Sequence, residues 1–332
     1  MALLIAGVDE AGYGPRLGPL CVGLSVFRIR DWSPGDPAPC LWKLLKAGVC
    51  RKASDTRRRV PIADSKALKL ANDNQRRHPL VHLERGVLAL LRCLESAPDT
   101  DEALLAYLGA ALEPAPWYAG PPVPVPVGQS AGEIAIAASR LAGALESAGV
   151  EVLELRCIAV GEAAVNRAID EQGSKAEATA AAVGEHFRRV FAHPLAAGDH
   201  LRIVCDQLGG RTQYEGMIAR ELPGCEVVPL AESGERSRYR VGRPSGPAAT
   251  PGGEAIIQFM PEAESAHLPV AVASMIAKLI RELAMLRFNR YWCARCPELK
   301  PTAGYYSDAG RWLRDAAGVL SSAERAAIVR TF

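Results

Sequence analysis

Acidic residues lie at the ends of two apolar runs of strand length in this 332-residue chain. Asp9 and Glu10 end the run that begins at Leu3, and Asp206 ends a second run that begins at Leu201. Successive side chains of a strand face opposite sides, so Asp9 and Glu10 cannot both point into one core. At least one of these two carboxylates therefore faces something other than apolar packing.

A further acidic pair, Glu262 and Glu264, precedes a long segment with helical spacing. Strand ends at one edge of a sheet lie close in space, however far apart they are in sequence. Four carboxylates gathered there would repel one another, and some would be protonated unless cations intervened. Oxygen-only ligand sets suit Mg²⁺ or Mn²⁺, and two such ions about 3.5–4 Å apart can clamp both oxygens of a phosphoryl displacement. These residues therefore predict metal-assisted phosphate chemistry.

Three glycines, Gly12, Gly14 and Gly18, follow the first acidic pair. Glycine lets the backbone of another molecule approach closely. Taken alone, this segment is either a strand that stops at a polar turn or a metal or phosphate site at a strand end.

The composition describes a chain that can bury a sizeable core, with 49% hydrophobic and 23% charged residues. A formal charge of +2 does not indicate a polyanionic partner, so any such contact must come from local patches. Nine irregularly spaced cysteines suit reduced thiols rather than a disulfide framework. With no signal peptide and no run long enough to span a membrane, we expect a cytoplasmic protein.

Hydrophobic periodicity predicts a strand hairpin around the glycine turn, followed by strands that alternate with helices. The two hairpin strands are expected at 3–9 and 20–28. Further strands are expected at 152–160, 201–206, 225–230, 239–241 and 254–259. Helices are expected at 82–94, 101–112, 131–148, 162–171, 175–191 and 269–291.

This order indicates one mixed α/β sheet domain over residues 1–332. We expect a helical, proline-rich insertion at about 95–150, because six prolines stand between residues 113 and 128. A helical tail is expected at about 311–332.

The order of the motifs resembles that of type 2 ribonucleases H, the ribonucleases HII and HIII. Gly304 and Tyr305 resemble the Gly-Tyr pair of the family's C-terminal region. The four earlier motifs are GVDEAGYGP at 7–15, ADSKAL at 63–68, IVCDQ at 203–207 and AESAHLPVAVASMIAK at 263–278.

The resemblance implies an RNase H-like fold and an endonuclease that hydrolyses the RNA strand of an RNA–DNA hybrid duplex by a two-metal-ion mechanism. Asp9, Glu10, Asp206 and Glu264 would then be the catalytic residues and hold two Mg²⁺ or Mn²⁺ ions. Glu264 stands where HII enzymes have Asp, which is the HIII form of that motif.

The resemblance also implies the substrate contacts. The backbone at 12–14 would meet the ribose 2′-hydroxyl, the group that distinguishes RNA from DNA, and Tyr305 would stack beside that sugar. Ser65 and Lys66 would hold the nucleic-acid backbone. The implied substrate-binding residues are Gly12, Tyr13, Gly14, Ser65, Lys66 and Tyr305.

Two features depart from the family pattern or add to it. The HII signature has an arginine between its two glycines, where this chain has Tyr13, which leaves cleavage at a single ribonucleotide open. The cations Arg51, Lys52 and Arg57 to Arg59 are either a solvated face or an added contact to the duplex.

Two alternatives remain open at this point, and neither the motifs nor the composition indicates a protein partner. An actin-like ATPase or sugar-kinase fold also places an Asp after its first strand, and residues 206–212 weakly resemble a second phosphate loop. An RNase H-like protein that binds nucleic acid without cutting it is the other alternative. ATP binding would favour the first, and hybrid binding without metal-dependent cleavage would favour the second.

Overall fold

The computed structural model describes residues 1–33, 35–55, 59–193, 199–242 and 254–331. Its strands are β1 (Leu3–Ala11), β2 (Leu20–Ile29), β3 (Val49–Cys50), β4 (Val60–Pro61), β5 (Val150–Val160), β6 (His200–Asp206), β7 (Val227–Glu232), β8 (Ser237–Gly242) and β9 (Glu254–Met260). Its helices are α1 (Leu41–Leu44), α2 (Ser65–Leu68), α3 (Val81–Cys93), α4 (Asp101–Leu108), α5 (Ala131–Ser147), α6 (Glu162–Gln172), α7 (Lys175–Phe191), α8 (Glu215–Glu221), α9 (Ala263–Ala266), α10 (Leu268–Arg295), α11 (Tyr306–Asp315) and α12 (Ser322–Ile328).

Strand β1 runs through the middle of a mixed sheet with the order β5-β2-β1-β6-β9-β8-β7. It pairs antiparallel with β2 and parallel with β6, and β6 pairs parallel with β9. The register sets Val8 opposite Cys205, so the next residues, Asp9 and Asp206, come to the same sheet edge. The predicted fold class, an RNase H-like α/β fold with a mixed sheet flanked by helices, is confirmed.

Helix α10 lies directly across β1 and β2, because two strand glycines leave room for its backbone. A Cβ at Gly7 would stand 2.1 Å from the Pro269 carbonyl carbon, and a Cβ at Gly23 would stand 2.1 Å from the Ala273 carbonyl oxygen. Either added atom would push the helix away from the sheet. This close packing brings the N-terminal half of α10 next to the end of β1.

The sheet is covered on both faces by apolar side chains. Helices α3, α5 and α10 cover one face, where Leu104 and Leu141 from the 95–150 region share a core with Leu3 and Ile5. Helices α7 and α8 cover the other face, with Phe187 among the buried residues. Burial of this kind supplies most of the driving force for folding.

Several element ends differ from the sequence prediction. The helix expected at 101–112 ends at Leu108, because Gly109 adopts a left-handed φ of 71° and closes the helix. The long helix runs from Leu268 to Arg295, beyond the predicted 269–291. The first helix of the tail begins at Tyr306 instead of about 311, and the strand expected at 225–230 is Val227–Glu232.

None of the helices within the described ranges has both the length and the apolar character needed to cross a bilayer.

Candidate active site

Three of the four predicted acidic residues meet at one edge of the sheet. Carboxylate oxygens of Asp9, Glu10 and Asp206 all lie within 4.8 Å of one another. Asp9 is buried, whereas Glu10 and Asp206 are half-buried. The cluster exists because β1 and β6 are parallel neighbours that end at the same edge.

Glu264 reaches the same edge from α9 but lies outside that group of three. The chain turns at Glu262, which has a φ of 53°, and Ala263 N–H donates to Asp206 Oδ1 over 3.1 Å. Glu264 is buried, and its Oε2 has no hydrogen-bond partner among the described residues. Glu262 is exposed, so of the two acidic residues in this turn only Glu264 joins the site.

Burial raises the pKa values of all four carboxyls, and the charges of neighbouring acidic residues add to this rise. Burial, followed by the charges of Glu10 and Asp206, holds the pKa of Asp9 well above its ordinary value. Burial and the Asp206 charge raise the pKa of Glu10 to about 7. Burial is also the main cause that raises the pKa of Asp206 and of Glu264. A bound cation would relieve this repulsion, and the unpartnered Glu264 oxygen and the oxygen-only donor set fit a hard divalent metal.

The Asp64-Ser65-Lys66 segment lies beside the carboxylates. Asp64 caps α2 by accepting a hydrogen bond from Lys66 N–H over 3.0 Å. Ser65 is buried, and its hydroxyl shares a hydrogen bond with the Ser274 hydroxyl of α10 over 2.9 Å. Burial lowers the pKa of Lys66, but the charges of Asp64 and Glu264 outweigh it and raise that pKa above its ordinary value. A protonated lysine therefore stands at the rim of the acidic cluster.

The glycine loop, residues 12–18, continues from β1 along the edge of this cluster. Gly12 has a φ of 97°, and a Cβ there would lie 2.6 Å from the Pro19 carbonyl oxygen. Gly14 is exposed, and no described atom lies within 4 Å of the place a Cβ would take. Tyr13 is partly buried under the Lys175 ammonium, which lies 4.5 Å from the ring centroid. The exposed surface of the loop at Gly14 is therefore formed by backbone atoms, and the Tyr13 side chain does not cover it.

Tyr305 stands next to the loop with its ring half-exposed. Its hydroxyl accepts a hydrogen bond from Lys278 Nζ over 3.1 Å, and the Arg281 guanidinium lies 5.3 Å from the ring centroid. Burial raises the pKa of Tyr305, but the Lys278 and Arg281 charges outweigh it and lower that pKa. The Gly304 carbonyl accepts hydrogen bonds from Arg16 N–H and from the next amide of the loop, which ties Tyr305 to the loop.

Two buried arginines support the site and were not found from the sequence. Arg281 is fully buried and donates from Nη2 to Leu17 O and Ala303 O. It follows Lys278 by three residues on α10, so helical spacing gives a signal for it. Arg330, from the segment after α12, donates to carbonyls of the glycine loop. No local pattern points to it, because its contacts are more than 300 residues away in sequence.

Two arginines of the basic run between residues 51 and 59 form contacts within the protein. Arg51 donates to Ser265 O over 3.0 Å and lies 3.8 Å from the Trp42 ring centroid. Arg59 forms an ion pair with Asp55. Arg57 and Arg58 lie outside the described residues, so the solvated face and the duplex contact both remain untested interpretations of this run.

The fold and the acidic side chains together form a candidate site for a divalent metal ion. Carboxylates from two strand ends and a following short helix come to one sheet edge, next to lysine and tyrosine side chains.

Comparisons with known proteins give similar folds among solved structures. No protein-family model and no curated protein sequence matches the chain. The ribonuclease HII of Archaeoglobus fulgidus, solved in a complex with PCNA, is 14% identical with a TM-score of 0.44, over 99% of this chain and 94% of that one. The ribonuclease H2 of Pyrococcus horikoshii OT3 is 14% identical with a TM-score of 0.45, over 98% and 92%.

A third structure, Bst-RNase HIII in complex with Mn²⁺, is 15% identical with a TM-score of 0.38, over 99% of this chain and 66% of that one. All three are ribonucleases H of the type that the sequence motifs resemble. The TM-scores of all three lie below 0.5.

Proposed function

We propose that this chain is a metal-dependent endoribonuclease that hydrolyses the RNA strand of RNA–DNA hybrids. The observation that carries the proposal is the meeting of Asp9, Glu10 and Asp206 oxygens within 4.8 Å, with Glu264 beside them. Four acids with raised pKa values are costly to keep together in a protein that does not use them.

The acidic residues and Lys66 have different roles in this proposal. Asp9, Glu10, Asp206 and Glu264 hold two Mg²⁺ or Mn²⁺ ions, which when bound supply an activated water and charge stabilisation at the scissile phosphate. The Ala263 N–H fixes the orientation of Asp206, and burial restricts Asp9 to one arrangement. Lys66, protonated at the rim, attracts the phosphodiester backbone as a point charge.

Recognition of RNA is assigned to the glycine loop and Tyr305. Gly14 offers exposed backbone with open space in front of it, where a ribose can approach. Tyr305 presents a half-exposed ring held in place by Lys278. A backbone donor and an aromatic face are suited to a 2′-hydroxyl and its sugar, the groups that distinguish RNA from DNA.

The kinase-like alternative has less support, because backbone N–H groups of the turn after Asp206 already donate hydrogen bonds to nearby residues. Leu208 N–H donates to the Tyr214 hydroxyl, and Gly209 N–H donates to Gln207 O. Arg211 N–H likewise donates to Leu208 O. A phosphate loop needs such amides available for the nucleotide.

The test is cleavage mapping on labelled duplexes that contain one, four or many ribonucleotides opposite DNA. We expect cleavage within the longer ribonucleotide runs in Mg²⁺ or Mn²⁺, no cleavage in excess EDTA, and none of an all-DNA duplex. The duplex with one ribonucleotide reports whether a loop with Tyr13 is sufficient for recognition.

A variant with Glu264→Gln is the matched test of the acidic cluster, and Glu262→Gln, on the exposed neighbour, is its control. Binding of hybrids by the wild-type protein without cleavage in either metal would instead support the silent nucleic-acid binder.

A further inference from the structure

We infer that Arg330 is a positioning residue that sets the direction of the backbone N–H groups of the glycine loop. This inference rests on the proposed function, since it assigns a role in ribose recognition to a residue that the sequence motifs do not contain.

The guanidinium of Arg330 binds several carbonyl oxygens of the loop at once. Nε donates to Pro15 O over 2.9 Å, and Nη2 donates to Gly12 O over 2.6 Å and to Tyr13 O over 3.2 Å. Nη2 also donates to Pro15 O. Arg330 is only 2% exposed, so these contacts are shielded from water.

The carbonyls held by Arg330 determine where the neighbouring amides point. In a trans peptide unit the C=O and the following N–H point in opposite directions. Because Gly12 O and Tyr13 O face Arg330, the N–H groups of Tyr13 and Gly14 point away from it. The guanidinium thus fixes two backbone donors at the part of the loop where Gly14 is open to solvent.

Contacts on both sides of Arg330 hold it in this place. Asn166 of α6 donates from Nδ2 to Val329 O over 2.9 Å and accepts a hydrogen bond from Thr331 N–H over 2.8 Å. Arg330 N–H donates to Arg16 O over 2.9 Å. The side-chain amide of Asn166 therefore brackets Arg330, and the loop itself supplies the third attachment.

The charge of Arg330 is retained despite burial. Burial, followed by the Arg281 charge, lowers the pKa of Arg330 to about 10, while Glu162 acts in the opposite direction. The side chain is therefore cationic at neutral pH, and charge-assisted hydrogen bonds to the loop carbonyls are stronger than neutral ones. The HII signature has an arginine at the position of Tyr13. In this chain a guanidinium still contacts the loop, but it belongs to Arg330, which is more than 300 residues away in sequence.

The experiment compares Arg330→Lys, Asn166→Ala and a control, Arg295→Gln. The control removes the exposed ion pair of Arg295 with Glu324, which joins α10 to α12 without touching the loop. Lysine keeps the charge but cannot form the planar fork that holds several carbonyls.

Two readouts are measured on each full-length variant. The first is hydrogen exchange of the peptide that covers the glycine loop, and the second is kcat/KM on an RNA–DNA hybrid and on the same duplex with 2′-deoxy substitution at the cleaved nucleotide. For Arg330→Lys we expect loop exchange to be about tenfold faster and kcat/KM on the hybrid to be about tenfold lower, with weaker discrimination between ribose and deoxyribose. As a control measured separately, the Mn²⁺ affinity should change by less than about twofold, because the carboxylates are untouched.

Asn166→Ala should change both readouts in the same direction by a smaller factor, and Arg295→Gln should change neither. Wild-type loop exchange in both Arg330→Lys and Asn166→Ala would overturn the inference. A loss of kcat/KM that Arg295→Gln shares would also overturn it, because it would show general destabilisation. If the wild-type protein cleaves no hybrid, the proposed function fails, but loop exchange still decides whether Arg330 positions the loop.

Discussion

The Ser274 hydroxyl of α10 shares a hydrogen bond with the Ser65 hydroxyl over 2.9 Å, and both side chains are buried. The contact joins the long helix to α2, which carries Lys66. A hydrogen bond from the Ser274 hydroxyl to the Asp9 carboxylate opposes the rise in the pKa of that carboxyl. One hydroxyl thus links the helix, the lysine segment and the acidic cluster.

Replacement of Ser274 by Ala should therefore reduce activity more than stability. We expect the free energy of unfolding to fall by about 1 kcal/mol and kcat/KM on a hybrid to fall about tenfold, because α2 loses its attachment beside Asp9. Steady-state kinetics and urea unfolding measure the two effects. Ser25→Ala is the control, since Ser25 Oγ donates to Pro269 O over 2.7 Å and makes an equally buried contact to α10. An equal loss of activity in both variants would contradict the link to the acidic cluster.

Asp9 should destabilise the metal-free protein. Its folded-state pKa is raised, so folding is most favourable below the ordinary pKa and loses stability as the pH rises through the folded-state value. At neutral pH without metal, Asp9→Asn should increase the free energy of unfolding by about 1–3 kcal/mol. Mn²⁺ should raise the melting temperature of the wild-type protein more than that of the variant.

Thermal and urea unfolding in EDTA and in Mn²⁺ provide the measurement. Glu262→Gln serves as the control, because Glu262 is exposed on the neighbouring turn, and its effect should stay within about 0.5 kcal/mol. A destabilised Asp9→Asn protein in EDTA would contradict the repulsion described here.

His186 should make stability fall in acid. Its Nε2 lies 3.0 Å from Val22 O, and burial lowers its pKa to about 4, so the folded protein keeps the ring neutral. An unfolded chain protonates the same ring at a pKa of about 6.5, so the folded state loses stability as the pH falls from about 6.5 to about 4. The loss reaches about 3 kcal/mol at the acid end of this range.

Urea unfolding of the wild-type protein and of His186→Gln at about pH 7.5 and about pH 4.5 isolates this contribution. The free energy of unfolding of the wild-type protein minus that of the variant should be about 2 kcal/mol smaller at the acidic pH than at the neutral pH. A relative stability that is the same at both pH values would rule out a neutral, buried His186.

The buried pair of Asp101 and Arg287 should be a main attachment of the 95–150 region to α10. Arg287 donates from Nε and Nη2 to the two Asp101 oxygens over 2.5 and 2.7 Å, and Asp101 also accepts from Val123 N–H. Asp101→Asn leaves the buried guanidinium with only the exposed Glu102 carboxylate as a counter-charge, so we expect a loss of about 3–5 kcal/mol. Glu102→Gln, which removes an exposed carboxylate from the same Arg287, should cost less than about 1 kcal/mol. If urea unfolding gives similar losses of stability for the two variants, the buried Asp101–Arg287 pair contributes no more than the exposed Glu102–Arg287 pair, which would contradict this prediction.

Much of the acidic cluster was predictable, because strand periodicity and the position of acids at strand ends are local features. Asp9 and Asp206 follow apolar runs, and parallel pairing of β1 with β6 brings them together. The residue pattern alone could not say which of Glu262 and Glu264 joins them, whereas the resemblance to the family motif implied Glu264. That choice depends on a left-handed turn at Glu262 and on the Ala263 N–H bond to Asp206.

The supports of the glycine loop were less predictable, because they are long-range contacts. Arg330 reaches Gly12 across more than 300 residues, and the tail that carries it has no motif. Tyr13 shows the same limit, since only the structure places its ring under Lys175. Local patterns identify the residues that do chemistry better than those that hold them in place.

The most direct test of the central claim is single-turnover cleavage of an RNA–DNA hybrid by the wild-type protein and by Asp9→Asn in Mg²⁺ and Mn²⁺. Hybrid binding is measured in parallel with Ca²⁺ in place of these ions. We predict metal-dependent cleavage of the RNA strand by the wild-type protein. For Asp9→Asn we predict a loss of about a thousandfold or more, as removal of several kcal/mol of charge stabilisation implies, with hybrid binding largely retained. Cleavage by Asp9→Asn at the wild-type rate, or no cleavage by the wild-type protein in either metal, would contradict the claim.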